Sequence, residues 1–239
     1  MIKYFMKKTV KLKDRSNSSI IRLDKVWKIY NMGEVEVAAL KGISINIKRG
    51  DFVAITGPSG SGKSTMMNLV GCLDIPTKGA IYLDGHDISQ LSESKLAGIR
   101  GKKIGFIFQQ FNLLPTLTAL ENVMLPLEFQ DMPTEDARKI GVKVLEMVGL
   151  ADRLGHFPSQ LSGGQMQRVA IARALAINPE VLLADEPTGN LDSKTGLDVL
   201  NMMKTLWKKE NKTIILITHD MNIASHANTQ IKLKDGLVV

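Results

Sequence analysis

The feature that most limits what this chain can become is a nine-residue stretch, residues 57–65, GPSGSGKST, that follows an unbroken apolar run, FVAIT, at residues 52–56. A short strand that is apolar on both faces belongs in a parallel sheet covered on both sides. The segment after the stretch, MMNLV at residues 66–70, suits a helix. Strand, glycine-rich loop and helix in that order match the pattern GxxxxGK[ST] in the context it requires. The glycines let consecutive backbone N–H groups turn inward around phosphates, and the helix N-terminus adds the positive end of its dipole. Lys63 then reaches the β- and γ-phosphates, and Ser64 ligates Mg²⁺. Gly57, Pro58, Ser59, Gly60, Ser61, Gly62, Lys63, Ser64 and Thr65 are therefore the first candidate ligands of a nucleoside triphosphate, and the expected fold class is α/β. An accidental Gly/Ser turn would require neither the strand before it nor the helix after it.

The rest of the chain organises around that unit. Residues 20–26 and 35–47 read as β-type stretches broken by turn formers at Asn31 to Gly33, which predicts antiparallel sheet. The segments 181–184 and 214–218 are further buried-strand runs, and the chain beyond 104–108 looks helical. In that helical middle Thr134 is placed to cap a helix with Ala137, Ile140, Val144 and Met147 on one face, ending at Gly149. A later helix is expected over 195–209 with Leu197, Leu200 and Lys204 on one side, and a turn at 234–236 close to the end, where a trimmed terminus is conceivable. No internal repeat or low-complexity segment is present.

Two more segments carry chemistry. Residues 181–186, VLLADE, form an apolar strand ending in adjacent carboxylates, and Pro187 stops the strand because it has no N–H. Neighbouring strand side chains point to opposite faces, so Asp185 is free to meet Mg²⁺ through water while Glu186 orients and deprotonates an attacking water. Alone, such a run reads better as a solvated strand end; the glycine loop upstream reverses that. Residues 161–165, LSGGQ, contain an S-x-x-Q capping box, Ser162 with Gln165, opening a helix over 166–176. Gly163 and Gly164 inside that first turn cost up to about 1 kcal/mol each against alanine, which suggests that something approaches the backbone there, a phosphate being the natural candidate.

Composition narrows the function. The net charge is +7, but Lys3, Lys7, Lys8, Lys11, Lys13 and Arg15 against Asp14 place +5 of it in the first fifteen residues, leaving the remainder nearly balanced. That excludes the basic footprint of a DNA- or RNA-binding surface. Residues 1–19 read as a basic, disordered extension, solubilising or in contact with anionic lipid. The apolar runs fall far below the roughly 20 residues needed to span a bilayer, and no secretory h-region is visible, so a cytosolic location is expected. The single cysteine, Cys72, forms no internal disulfide and agrees with a reducing compartment.

Taken in order, these motifs resemble the ATP-binding cassette (ABC) family from about Ile20 onward. Tyr30 matches the aromatic that stacks on adenine, GPSGSGKS the Walker A loop, Gln109 the Q-loop, LSGGQ the signature, VLLADE the Walker B strand, Asn190, Leu191 and Asp192 the D-loop, and His219 the switch histidine. Singly, Tyr30, Gln109 and His219 would pass as a strand residue, a loop amide and a strand-end histidine. The resemblance implies a P-loop ATPase core over 20–239 with an N-terminal antiparallel β subdomain and an inserted helical subdomain at about 111–178. It implies ATP and Mg²⁺, with Ser64, Gln109 and Asp185 at the metal and Glu186, His219, Gln109 and Lys63 in catalysis. It further implies a head-to-tail homodimer in which Ser162, Gly163, Gly164 and Gln165 of one copy face the other's nucleotide and Asp192 links the two sites. Residues 71–79, GCLDIPTKG, and 111–127, FNLLPTLTALENVMLPL, are similar to the lipoprotein-releasing and macrolide-exporting branch. That implies an integral membrane permease as partner, and a peripheral place on the inner face of the membrane. Residues 111–114 are then either its docking site or core of the helical insertion. Departures are small: Met166 stands where glutamine is commoner, and the basic N-terminus is unusual. The alternative function is a soluble cassette ATPase serving a cytosolic scaffold such as iron–sulfur assembly.

Overall fold

The computed structural model describes residues 18–33 and 35–239. Strands β1 (Ser19–Met32) and β2 (Val35–Lys48) form a long antiparallel ribbon. With β4 (Lys78–Leu83) and β5 (His86–Asp87) they make a sheet of order β2-β1-β4-β5. The other sheet is built from β3 (Phe52–Thr56), β6 (Ile104–Ile107), β7 (Val181–Asp185), β8 (Thr213–Ile217), β9 (Thr229–Lys234) and β10 (Leu237–Val238), in the order β10-β9-β3-β8-β7-β6. All of its neighbours run parallel except the closing β9–β10 hairpin.

The parallel strands read as continuous apolar runs because both faces are covered. Phe52, Leu182, Ala184, Ile214 and Leu216 enter one core with helices α3 (Ala119–Glu128), α4 (Thr134–Met147), α5 (Gly163–Ala176) and α6 (Ser193–Glu210). Their alternates, Val53, Ile55, Val181, Leu183, Ile215 and Ile217, enter a second core with α1 (Lys63–Val70) and the antiparallel sheet. The period of two along each strand thus divides the molecule into two cores.

Helices α3, α4 and α5 pack on one another within residues 111–178. Helix α3 opens with a full capping box, Thr118 with Glu121. The fully buried amide of Asn122 accepts from the Leu114 N–H and donates to the carbonyls of Leu114, Leu117 and Thr118, which fixes the preceding loop. At the N-terminal end of the parallel sheet, Arg49 pairs with Asp84 and Glu180 and Lys103 pairs with the same two carboxylates, joining the two sheets far from the strands' C-terminal edge.

Several expectations shift in detail. Strand β1 continues to Met32, well past residue 26, through bulges near Val26, where Lys25 takes φ 47°. Thr134 is the first helical residue of α4 and not its cap, Pro133 standing before it. The buried stripe of α4 is Ala137, Gly141, Val144 and Leu145, while Met147, about 100° around the helix from that stripe, is 47% exposed. On α6 the core stripe is Val199, Leu200, Met203 and Leu206, and Leu197 faces out at 48% exposure. Helices α2 (Glu93–Lys103) and α7 (Met221–Ala224) and the β4–β5 hairpin had no counterpart in the sequence reading. The basic tail lies outside the described residues up to residue 17. Among the described residues no helix is long and apolar enough to cross a membrane.

Candidate nucleotide site at the strand ends

The candidate residues collect where the parallel strands end. Ile55 on β3 and Asp185 on β7 both lie opposite Ile217 on β8, so the glycine loop, Thr218 and His219, and Asp185 and Glu186 leave the sheet side by side. Strands are spaced about 4.8 Å apart, which sets β3 and β7 roughly 10 Å from each other. Gln109 follows β6, the neighbour of β7. The C-terminal edge of such a sheet is where open α/β folds bind ligands.

Helix α1 begins at Lys63 behind Gly62, which has φ 101° and offers no side-chain cap, so the first-turn N–H groups are left for a ligand. Gly57 is obligatory: its φ is 152°, and a Cβ there would lie 2.2 Å from the Leu233 carbonyl oxygen. Lys63 donates from Nζ to the carbonyls of Gly57 and Pro58, each at 2.8 Å, which holds its ammonium over the loop. Ser61 is 2% exposed, and its Oγ has no hydrogen-bond partner among the described residues. Pro58, Ser59, Gly60 and Ser64 are exposed, with Thr65 half-buried in the first turn.

Asp185 ends β7, and Glu186 lies beyond it with φ 45°, a left-handed conformation that costs a non-glycine residue on the order of 1–3 kcal/mol. The alternation of a strand therefore does not separate the two carboxylates, as the sequence suggested; a strained turn does. Burial pushes the Asp185 carboxyl above the usual range, the charge of Glu186 adds to this, and Lys63 opposes it. The Glu186 carboxylate accepts from the His219 N–H at 2.9 Å and from the Thr218 hydroxyl at 3.2 Å. His219 Nδ1 lies 2.6 Å from the same carboxylate, while the imidazole is 76% exposed.

Gln109 sits against the next loop. Its Nε2 donates to Asn190 Oδ1 at 3.4 Å, and Asn190 Nδ2 returns a bond to the Gln109 carbonyl at 2.9 Å. Asp192 caps α6 by accepting from the Thr195 N–H at 3.1 Å, and hydrogen bonding from Thr195 holds its carboxyl below the usual range. Ser162 and Gln165 form the expected capping box at the start of α5. What approaches Gly164 closely is Thr195: a Cβ on Gly164 would lie 2.3 Å from the Thr195 Cγ2. Gly163 faces Leu191 and Phe111 more loosely. The glycine that sequence reasoning gave to a phosphate is thus already required by this chain's own packing.

Tyr30 lies on β1, its hydroxyl 3.3 Å from Asp74 Oδ2. Lys28 bonds the other Asp74 oxygen at 2.6 Å and stands 5.1 Å from the ring centre. Sequence reasoning missed Asp74, Thr218, Thr195 and the buried Gln167. Thr218 precedes His219 directly and was within reach; the others act through contacts between elements far apart in the chain. Of residues 111–114, Leu113 packs on the helical core and Leu114 is 44% exposed.

Comparison with known proteins agrees with this geometry. The ABC transporter family model matches residues 40–189. An uncharacterised ABC transporter ATP-binding protein of Methanocaldococcus jannaschii, MJ0796, is 54% identical over 223 residues, covering 92% of this chain and 95% of that protein. The macrolide export ATP-binding/permease protein MacB of Syntrophobacter fumaroxidans is 48% identical over 221 residues, 92% of this chain but 31% of MacB. The dimeric post-hydrolysis structure of the MJ0796 cassette bound to ADP and Pi superposes with a TM-score of 0.83 at 52% identity, covering 91% of this chain and 96% of that one. With the phosphate loop, the paired carboxylates and the capped glycine turn in place, the chain belongs to the ABC transporter family, as an ATP-hydrolysing cassette of α/β fold.

Proposed function

We propose that this cassette hydrolyses MgATP between two copies of itself and that their closure moves an integral membrane partner. The observation that carries the reading is the convergence of Lys63, Asp185, Glu186 and His219 at one sheet edge, beside a glycine loop that opens α1 without a side-chain cap. Among the described residues the buried Ser61 Oγ has no partner and the Lys63 ammonium bonds two neutral carbonyls of its own loop, and both suit a polyanionic chain of phosphates. Among the described residues no group of three or more acidic, histidine or cysteine side chains stands ready for a metal. A Mg²⁺ site of one carboxylate, Asp185, with the Ser64 hydroxyl and Gln109 matches the way this ion shares phosphate oxygens and water. When bound there, Mg²⁺ neutralises charge on the β- and γ-phosphates.

The residues then divide the work. Tyr30 stacks on the adenine, and residues 57–65 hold the phosphates, Lys63 at the β- and γ-groups. Glu186 holds a water in line with the γ-phosphate and takes its proton. The hydrogen bonds from Thr218 and from the His219 N–H keep that carboxylate aimed. His219 swings its exposed ring to the γ-phosphate. From the second copy, the Ser162 hydroxyl and the start of α5 at Gly163, Gly164 and Gln165 bring further donors to charge that grows in the transition state. A single helix start contributes at most about 2 kcal/mol to an anion, so the start of α5 acts together with the Ser162 hydroxyl and its exposed N–H groups. Asp192, at the head of α6, links the two sites.

The membrane partner is supported by the MacB relatives, which are named as combined ATP-binding and permease proteins. A groove of about 950 Å³ between α2, β6, α3 and α5, floored by the stacked rings of Phe106 and Phe108 and edged by Arg100, Arg173 and the 79% exposed Phe129, offers a place for one of its helices. On this reading the cassette works peripherally on the cytoplasmic face, in export, lipoprotein release or other mechanical work. The test is Glu186→Gln: it retains ATP, loses most phosphate release and accumulates an ATP-bound dimer in size exclusion. A variant that stays monomeric with ATP, or hydrolyses it normally, refutes the mechanism. Mass spectrometry of proteins retained by the ATP-loaded variant from detergent extract then identifies the partner; recovery of soluble proteins alone refutes the membrane role.

A further inference from the structure

Gln167 lies on α5, two residues beyond the glycine turn and its cap, and is completely buried. Its Nε2 donates to the Pro187 carbonyl at 2.7 Å and to the Phe108 carbonyl at 3.4 Å. Carbonyl oxygens only accept, so the amide nitrogen must face both, and the orientation of the side chain is fixed. Its Oε1 is buried and has no partner among the described residues. Leaving a buried amide oxygen unpaired is unfavourable, and an apolar side chain of the same length would avoid it.

The two carbonyls explain why an amide is there. Phe108 immediately precedes Gln109, and Pro187 immediately follows Glu186. Gln167 therefore grips the chain where both loops leave the sheet, beyond the neighbouring strands β6 and β7. Its own helix starts at the Ser162–Gln165 capping box. One side chain thus fastens together the Gln109 loop, the Glu186 turn and the helix whose start meets the second copy's nucleotide.

We propose that Gln167 is a positioning residue for hydrolysis: it sets Gln109 and Glu186 relative to each other and to the head of α5, and it touches no substrate. This rests on the roles given to Gln109 and Glu186 above. When closure draws the start of α5 onto nucleotide, the displacement reaches both loops through this amide. The cost of losing it falls on turnover, because misplacing a reacting group by about 1 Å can lower a rate by about 100-fold while substrate binding survives.

The experiment compares full-length Gln167→Met with wild type and with Glu186→Gln, measuring kcat and KM for MgATP by phosphate release, thermal melting, and ATP-driven dimerisation. Methionine fills a similar space and removes the unpaired oxygen but donates nothing. The expected result is a kcat at least about tenfold lower, with KM within about threefold and a melting point within about 4 °C of wild type. A kcat within about twofold of wild type overturns the proposal, and so does a loss of kcat that comes with a collapse of the melting point, which marks a purely structural residue. Should Gln167→Met not fold, Gln167→Asn, which keeps the donor but falls one methylene short, must show the same split. If Glu186→Gln hydrolyses ATP normally, the reading of the site fails whatever Gln167 does; if Glu186→Gln is inactive and Gln167→Met is intact, only the positioning role fails.

Discussion

Replacing Gly164 by alanine tests whether the glycine of the α5 turn is demanded by this chain or by a bound phosphate. The new Cβ would lie 2.3 Å from Thr195 Cγ2, far inside contact distance, so α5 or α6 has to shift. Overpacking of this kind costs about 1–3 kcal/mol, against which alanine recovers about 0.5–1 kcal/mol of helix propensity. Gly164→Ala alone should therefore destabilise by up to about 2 kcal/mol. Thr195→Ser deletes the offending methyl and retains the hydroxyl, whose oxygen stands 3.9 Å from the same Cβ; the lost methyl costs about 0.8 kcal/mol. In that background the alanine no longer clashes, so the double variant should be more stable than Gly164→Ala, with a coupling of about 1–3 kcal/mol between the two changes. Urea unfolding of the four proteins at constant m-value reads the coupling directly. Additivity within about 0.5 kcal/mol refutes the packing argument. If stability returns in the double variant but ATP-driven dimerisation does not, the glycine is needed by the second copy's nucleotide as well.

Two further outcomes follow from the site and the core. Lys63→Ala should lower kcat/KM for MgATP by at least about 100-fold while leaving the melting point close to wild type, since among the described residues the ammonium bonds the Gly57 and Pro58 carbonyls of its own loop; an active variant in phosphate-release assays would contradict the role given to that lysine. Cys72 is fully buried, and burial raises its thiol from 9.0 to about 11. Because the folded thiol keeps its proton longer than the unfolded one, its contribution is complete below pH 9.0 and is lost as the pH rises through about 11. Wild type should therefore lose about 2–3 kcal/mol more than Cys72→Ala across that window in pH-dependent denaturation; parallel curves for the two proteins would exclude this.

The sequence made the local units legible and hid the contacts between them. The glycine loop, the carboxylate strand and the capped glycine turn each announce themselves within ten residues, because their chemistry is set by neighbours in the chain. The parallel strands were visible for the same reason: Phe52 and Val53, or Ile214 and Ile215, are apolar in succession only if both faces are covered. Amphipathic helices were placed well but oriented poorly. Leu197 on α6 is a leucine that faces solvent, and the glycine Gly141 takes a place on the buried stripe of α4 because Leu120 and Met124 of α3 come close to it. Glu186 was assigned a direction by strand alternation, but the chain has already left the strand there and turned left-handed. Helix α2, with one buried residue, Leu96, carries too weak an apolar pattern to be read at all.

The same intrachain contacts argue for how the site works as a unit. Gln109 is tied to Asn190, Asp192 caps α6 through Thr195, Thr195 packs on Gly164, and Gln167 fastens α5 to the strand ends at Phe108 and Pro187. Together these ties run from the loops that carry Gln109 and Glu186 to the start of α5, which on the proposed reading faces the twin's nucleotide. Elements linked this closely cannot move one at a time without breaking hydrogen bonds or opening a packed contact, so a displacement of the head of α5 must act on Gln109 and Glu186 together. In the proposed dimer, hydrolysis is coupled to the meeting of two copies through side chains of a single chain, and loosening any of these ties should uncouple the two before it prevents ATP from binding.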